Sequence, residues 1–521
     1  MRALLANMGF VLQISGIFLT LPIILSFINN EIVATIGLFI TATIFLTLGF
    51  SFNAFCERRE LSYKRSCALF VLVFIVLSLI GSIPYMYVNF SNGDIIQNIS
   101  DSIFESASGY TTTGLSVIPN VSALPESIVF YRALTQFIGG IGIVLVLLAF
   151  FYPETKLQDF ARSMGFSKNQ KVKKAFLSII LIYCIYTIIF TVAGIALGYH
   201  DVVKVISFIF SALSTGGFTP INDITSVATT FPMNIILVVT MVLGASNFFI
   251  IAGLFKGKFK EFITSETSVF LIMAIFAISI ATIFFGLPIG DAVFHIVSGM
   301  TTTGFSYLSV AGFSDGLKLF FVFLMLVGGA SFSTAGGIKI FRFVLMLKAL
   351  QKTIYESVTG REYTIHLFGN KYTGASLNKA VVTVFLMISL VFFSAFIVSS
   401  YGFPLVDSLF ETTSAVATTG LSTGIVRPSL AMELKWLFVV LMILGRVEIF
   451  AVLIMFSRIK ETKNPENVNT FTVAENEIES KQIVKQFRCP KCGHLETYIG
   501  LPGENLFITC TSCGTKGKVT I

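Results

Sequence analysis

Apolar runs of bilayer-spanning length alternate with short polar loops along most of the chain. They fall at residues 4–28, 33–53, 66–89, 126–151, 175–199, 231–255, 267–287, 317–350, 379–401 and 434–457. A helix needs about 20 consecutive apolar residues to cross the hydrocarbon core, so the pattern predicts ten transmembrane helices. The first run follows a single early Arg2 and also fits a signal peptide. No small-x-small cleavage site follows it, and "INNE" reads as a tight external turn, so a retained first span is expected.

Four polar stretches break this rhythm: "DSIFESASGYTTTGLS", "KVISFIFSALSTGGFT", "DAVFHIVSGMTTTGFS" and "DSLFETTSAVATTGLS". They align on Gly114, Gly217, Gly304 and Gly420. Asp101, Asp291 and Asp407 stand thirteen residues before the glycine in three copies, and Phe104, Phe294 and Phe410 stand ten before. The second copy diverges, with Asp201 placed further upstream. Thirteen residues cannot cross the bilayer and return, so each stretch is expected to be re-entrant. Such backbone is tolerated at membrane depth only beside protein or water. The repeated unit is therefore span, short helix, glycine turn, span, four times over, after two leading spans. Each Asp is placed to N-cap its short helix.

Composition and charge narrow the class. Of 521 residues, 55% are hydrophobic and 12% charged, against about 25% charged in soluble domains. The net charge of +8 raises the question of nucleic acid, but the basic residues sit in short loops between apolar runs. If ten spans alternate, the Lys- and Arg-bearing loops share one side, which is then cytoplasmic. Both termini lie inside and all four Thr/Gly stretches outside. No nucleic-acid partner is expected, and no nucleophile–base set marks an enzyme. Cys56, Cys67 and Cys184 read as inert core thiols.

The short helices end just before their Thr-Gly turns, so their C-terminal partial negative charge favours a cation there. Rings of backbone carbonyls replace the hydration shell of K⁺, and glycine reaches the backbone angles such a ring demands. The candidate cation ligands are Thr112, Thr113 and Gly114; Thr215, Gly216 and Gly217; Thr302, Thr303 and Gly304; and Thr418, Thr419 and Gly420. Small residues that merely let helices pack closely would not explain four turns in register on one side.

With "TTTGL", "STGGF", "TTTGF" and "ATTGL", the chain resembles the Trk/Ktr/HKT superfamily of potassium transporters. The two leading spans make it most similar to the TrkH-type membrane subunit. The resemblance covers residues 1–460 and includes "GGIGIVLVLLAF", "GGASFSTAGGIKIFR" and "GRVEIF". It implies an all-α membrane protein with a pseudo-four-fold pore in the cytoplasmic membrane, a selectivity filter at the four aligned glycines, and K⁺ as the transported ion. It also implies a homodimer and a cytoplasmic RCK/TrkA-type nucleotide-binding regulatory subunit. Relatives that prefer Na⁺ often carry Ser at the first filter position; Gly114 favours K⁺ by analogy and leaves Na⁺ passage open.

"GGASFSTAGGIK" interrupts the eighth apolar run, and each Gly costs a helix about 1 kcal/mol against Ala. By resemblance this loop, with Gly328, Gly329, Phe332, Gly336, Gly337 and Lys339, is a movable gate beneath the filter; the rival is a kinked, packed helix. Phe332 stands where the family usually has Gly. Lys339 is read first as a snorkelling anchor, with a gate contact as the alternative. Arg446 is an intramembrane charge, which the family places facing the pathway as a barrier; a structural ion pair is the equal rival, for which Glu448 is a poor partner. Asp101, Glu105, Asp407 and Glu411 also admit an acidic vestibule, although capping is preferred for the two Asp. His295, at the equivalent of the two Glu, reads as a packing residue, and His200 and His366 carry no signal.

After Lys460 the chain turns polar and then presents "CPKCG" and "CTSCG". Cys489, Cys492, Cys510 and Cys513 fit a four-Cys Zn²⁺ pattern, favoured over disulfides on the cytoplasmic side. His494 reads as a surface residue. The expected division is two leading spans at 1–56, repeats at 57–160, 161–260, 261–365 and 366–460, a linker at 461–486 and a small β zinc ribbon at 487–521. The leading functional expectation is K⁺ uptake. The alternatives are a non-conducting zinc-dependent membrane sensor or scaffold, and a Na⁺/K⁺ transporter of relaxed selectivity.

Overall fold

The computed structural model describes residues 2–57, 61–91, 93–142, 172–254, 257, 259–361, 363–368, 370–372, 374–447, 449–456, 483–488, 492, 495–500, 505–509, 512–513 and 516–520. The chain divides into two compact units, Met1–Phe456 and Ser457–Ile521.

In the first unit, α1 (Arg2–Phe18), α2 (Thr20–Ile28) and α3 (Ile32–Phe55) form a leading hairpin. Glycines seat it: a Cβ on Gly9 or Gly49 would press on the other's carbonyl. Its tip is the expected tight turn, and it reaches far along the chain. The Glu31 carboxylate accepts from the backbone N–H of Glu126 at 2.7 Å and of Ser127 at 3.1 Å, and from the Ser127 hydroxyl. Asn29 donates to the Glu126 carboxylate at 2.7 Å. These are the orphan N–H groups at the start of α7 (Glu126–Phe137), so the hairpin supplies an N-cap from outside the helix.

Four successions of elements follow. The long first helices are α4 (Tyr63–Ile80) with α5 (Ile83–Val88), α8 (Val172–Ala196), α12 (Glu266–Phe285) and α16 (Gly374–Ser400). Each leads to a shorter buried helix: α6 (Ile95–Tyr110), α9 (Val202–Leu213), α13 (Ile289–Met300) and α17 (Leu405–Val416). An extended Thr-Gly segment comes next. The second long segments begin as α7, α10 (Met233–Ala245), α14 (Asp315–Val327) and α18 (Met432–Val447).

Three of these second segments depart from a continuous α-helix. A π-helical turn, Ile138–Gly142, follows α7; α11 (Phe248–Leu254) resumes after Ser246–Asn247; α15 (Ile340–Thr359) resumes only after a twelve-residue loop, 328–339. The last continues as α19 (Ile449–Phe456). Among the described residues, five helical stretches are long and apolar enough to cross a membrane uninterrupted: Arg2–Ile28, Ile32–Phe55, Lys64–Val88, Glu266–Phe285 and Leu377–Ser400. Exposed Ile, Leu and Phe along them, such as Phe39, Ile283 and Phe396, mark lipid-facing surface.

Among its described residues the second unit shows two antiparallel hairpins. In one, β1 (Ile483–Arg488) pairs with β2 (Leu495–Gly500), closed by Arg488 opposite Leu495. In the other, β3 (Asn505–Thr509) pairs with β4 (Lys516–Thr520), closed by Thr509 opposite Lys516. Each closing pair brackets a connection of six residues with Cys at its first and fourth positions.

Candidate functional site

The four short helices end at Tyr110, Leu213, Met300 and Val416, each directly before its polar turn. The chain leaves each helix through a buried threonine in the left-handed region: Thr112 at φ 54°, Thr215 at 51°, Thr302 at 54° and Thr418 at 50°. A β-branched residue rarely adopts that conformation. Two residues later the aligned glycine does so again, with φ of 86°, 77°, 88° and 91° at Gly114, Gly217, Gly304 and Gly420.

These glycines close a ring. A Cβ on Gly114 would overlap the carbonyl oxygen of Gly216; on Gly217, that of Thr303; on Gly304, that of Thr419; and on Gly420, that of Thr113. Each copy therefore abuts the next, and the fourth returns to the first. The four turns thus contact one another in a closed cycle. At each of the four seams an added Cβ would force the neighbouring backbone to shift.

The polar residues upstream of the turns brace them. The Glu105 carboxylate accepts from the Ser116 hydroxyl and the Val117 N–H, and is paired with buried Arg132 at 2.7 Å. Glu411 accepts from Ser422, from the Thr423 N–H at 2.8 Å and from the Val426 N–H at 3.0 Å. His295 occupies the equivalent place in the third copy, and its Nε2 accepts from the Leu308 N–H at 3.2 Å. All three side chains are buried and hold the chain just beyond the ring, so Glu105 and Glu411 do not form an open acidic vestibule.

The N-cap expectation is corrected at three of four positions. Asp101 lies inside α6, and the helices α13 and α17 begin after Pro288 and Pro404. Asp101 is bound instead by Lys435 at 2.5 Å, Asp407 by Lys318 at 2.7 Å, and Asp291 by the Tyr307 hydroxyl. Proline occupies the N-cap position at these two starts, and the aspartates pair with other groups. Only Asp201 caps, accepting from the Lys204 N–H at 3.1 Å.

Beneath the ring lies the 328–339 loop, bonded to three of the four copies. The Thr334 hydroxyl donates to the carbonyls of Leu213 and Gly244, both at 2.9 Å, and stands 3.3 Å from the Thr215 hydroxyl. The Gly336 N–H donates to the Thr302 hydroxyl at 2.7 Å, and a Cβ on Gly336 would overlap the Ala417 carbonyl and the Thr418 hydroxyl. Gly328 and Gly337 face each other at φ of 68° and 72°, and Gly329 packs against Ala335 and Ala245. Phe332 and Lys339 also have positive φ, 55° and 72°. Lys339 donates back to the Ala335 carbonyl, a contact within the loop. Arg446 joins this loop to the first copy, with Nη1 donating to the Thr334 carbonyl at 2.8 Å and Nη2 to the carbonyls of Gly139 and Gly140 at 2.8 and 2.9 Å. Its partners are backbone oxygens; Glu448 lies outside the described residues.

Several residues here escape a reading of the sequence. Gly139, Gly244 and Gly445 let their helices touch the helix-end carbonyls of Tyr110, Leu213 and Val416. Lys318, Lys435 and Gln136 are polar groups within apolar runs, a signal that alone could have marked them. Of the three scattered cysteines only Cys67 is buried, while Cys56 is half-buried and Cys184 exposed. His200 and His366 are exposed. Cys492 and Cys513 fall in the connections of the two tail hairpins; Cys489, Cys510 and His494 lie outside the described residues. Among the described residues, no three His, Cys, Asp or Glu side chains group to hold a metal.

The model of the TrkH family, described as cation transport proteins, matches residues 33–271 and 263–467. An uncharacterised cation transporter of Methanocaldococcus jannaschii is 31% identical over 471 residues, 88% of this chain and 95% of that protein. The Trk system potassium uptake protein TrkH of Escherichia coli is 26% identical over 427 residues, 77% of this chain and 86% of that one. The crystal structure of the potassium transporter TrkH from Vibrio parahaemolyticus superposes with a TM-score of 0.74 at 24% identity, covering 88% of this chain and 98% of that one.

Proposed function

The chain belongs to the TrkH family of cation transport proteins, and from that premise we propose that it carries K⁺ into the cell through the four-copy ring. The observation that carries this reading is the cyclic contact of Gly114, Gly217, Gly304 and Gly420, each against the carbonyl oxygen of the next copy. Main-chain oxygens on one axis replace water around a dehydrated ion. The hydroxyls of Thr112, Thr418 and Thr419 are buried without a hydrogen-bond partner, which leaves their oxygens for the ion. Four helix C-termini add negative potential.

In the same reading, the 328–339 loop is the gate in its closed position, and Arg446 is both its latch and a positive barrier below the ring. Opening requires the Thr334, Gly336 and Arg446 bonds to be given up. The charge of the loops supports an outer position for the ring, with both termini and the tail in the cytoplasm. A second copy of the chain and an RCK-type nucleotide-binding subunit are the partners the family suggests.

Zn²⁺ is the metal proposed for the tail. Two hairpin connections of equal length, each with Cys at the first and fourth positions, suit a four-thiolate site. The metal would supply a structural cross-link to a module too small to bury much core. The purified chain then contains one zinc per protein by elemental analysis, and Cys492→Ser with Cys513→Ser removes it; wild-type protein without zinc ends that assignment.

Flux in proteoliposomes tests the transport reading. Rubidium or potassium uptake is expected for the wild type, while Gly114→Ser is expected to shift the K⁺:Na⁺ ratio toward Na⁺. No uptake by folded wild-type protein with its partners present would sink the transport assignment, and an unchanged ratio would sink that of Gly114.

A further inference from the structure

The second copy breaks the pattern of the other three at one position. Directly before the aligned glycine stand Thr113, Thr303 and Thr419, but Gly216 in the second copy. The space of the missing threonine side chain is filled. A Cβ on Gly216 would meet the Gln136 side-chain amide, and Gln136 is fully buried. Its Nε2 donates to the Gly216 carbonyl at 2.6 Å, and its Oε1 accepts from the Phe218 N–H at 3.1 Å. A carbonyl can only accept and a backbone N–H can only donate, so chemistry fixes the amide orientation. The two bonds flank Gly217 on either side.

Gln136 has no counterpart in the other copies. Three residues before Gly139, Gly244, Gly328 and Gly445 stand Gln136, Met241, Met325 and Met442. Three copies thus pair a threonine at the ring with an apolar residue in the second span. One seam pairs glycine with glutamine, the exchange of volume and polarity being made at both positions. One turn before Gln136 on α7, Arg132 donates to the Thr219 carbonyl at 3.1 Å and lies over the Phe218 ring at 4.1 Å. The first copy's helix therefore grips residues 216–219 of the second.

We propose that Gln136 is a specificity-determining positioning residue: it stands in for the absent threonine and fixes the second segment of the ring in register with the other three. The inference rests on the transport reading above. Without the amide, the Gly216 peptide is free to rotate, its carbonyl leaves the axis, and the ring tolerates the smaller, more strongly hydrated Na⁺.

The test measures Rb⁺ and Na⁺ uptake by the full chain in liposomes, with its regulatory partner where flux requires it. Gln136→Leu is expected to lower the Rb⁺:Na⁺ ratio about tenfold, the effect of leaving two buried backbone groups unpaired. Gly216→Thr alone meets the amide and lowers the ratio as well. Gln136→Ala combined with Gly216→Thr restores the threonine pattern of the other copies and recovers the ratio at least halfway on a logarithmic scale. Recovery of flux or selectivity in the double variant supports the proposal, including where the single variants fail to fold. An unchanged ratio in folded Gln136→Leu, or a double variant no better than its parents, overturns it. Absence of Rb⁺ uptake by the wild type strikes the transport reading instead, so the two failures are separable.

Discussion

The ring and the layer directly beneath it are built by the same four repeats and follow opposite rules. In the ring, four different strings reach one geometry: left-handed threonine, then left-handed glycine, then contact with the next copy. Beneath it, among the described residues, three second spans depart from a continuous α-helix in three ways: a π turn, a two-residue break and a twelve-residue loop. An ion coordinated from all sides punishes any copy that deviates, whereas a movable obstruction needs only one copy to supply it. In the proposed function, symmetry is kept where the ion imposes it and spent where motion requires it.

The comparison breaks most severely at the ring. Gly304→Ala forces a Cβ into the left-handed region, about 1–2 kcal/mol in backbone alone, and against the Thr419 carbonyl. Loss of all Rb⁺ uptake is expected, with a lowered Tm; wild-type uptake would show that the ring tolerates asymmetry. In the lower layer the sign reverses. Arg446→Gln removes the charged bonds to the carbonyls of Thr334, Gly139 and Gly140, and the gated flux is expected to rise roughly tenfold with its ion preference unchanged. Thr334→Val deletes only the hydroxyl bonds to Leu213 and Gly244, so a rise of about threefold is expected in the same assay. Equal or smaller flux in both variants would remove the loop from the role of gate.

The smallest effect sharpens the contrast between copies outside the ring. Of Asp101, Asp201, Asp291 and Asp407, only Asp201 caps its short helix. Partial burial works against the Asp201 charge, yet hydrogen bonds from Lys204 hold its carboxyl below the ordinary range. A lowered folded value means stability that is present above the unfolded value, about 3.9, and is lost as pH falls through the folded one. Asp201→Ala is expected to lower Tm by about 2 °C or less at neutral pH, and the gap should close in strong acid. A gap that persists there would assign the effect to packing.

Much of this architecture was legible in the apolar runs and in the repeated Thr-Gly string, because both express constraints that act along the chain. Span length and the need for glycine at a positive φ are local properties. The aspartates misled because their strict spacing suggested a local job, capping, while Lys435 and Lys318 reach Asp101 and Asp407 from 334 and 89 residues away. Gln136 stayed hidden for the same reason: its meaning depends on a residue missing 80 positions later. The loop was visible as a cluster of Gly and Ser, but the carbonyls it grips carry no sequence signature at all.

The ring is drawn by one continuous polypeptide, and this has an evolutionary side. In an assembly of four identical subunits, every substitution arrives in quadruplicate, and a change tolerable once is imposed on each quadrant. Here a mutation strikes a single quadrant, and its neighbour can answer with a private compensation, as the glutamine opposite Gly216 does. Ion preference in such a molecule can drift by quarter-steps, through intermediates that a homotetramer has no means of visiting.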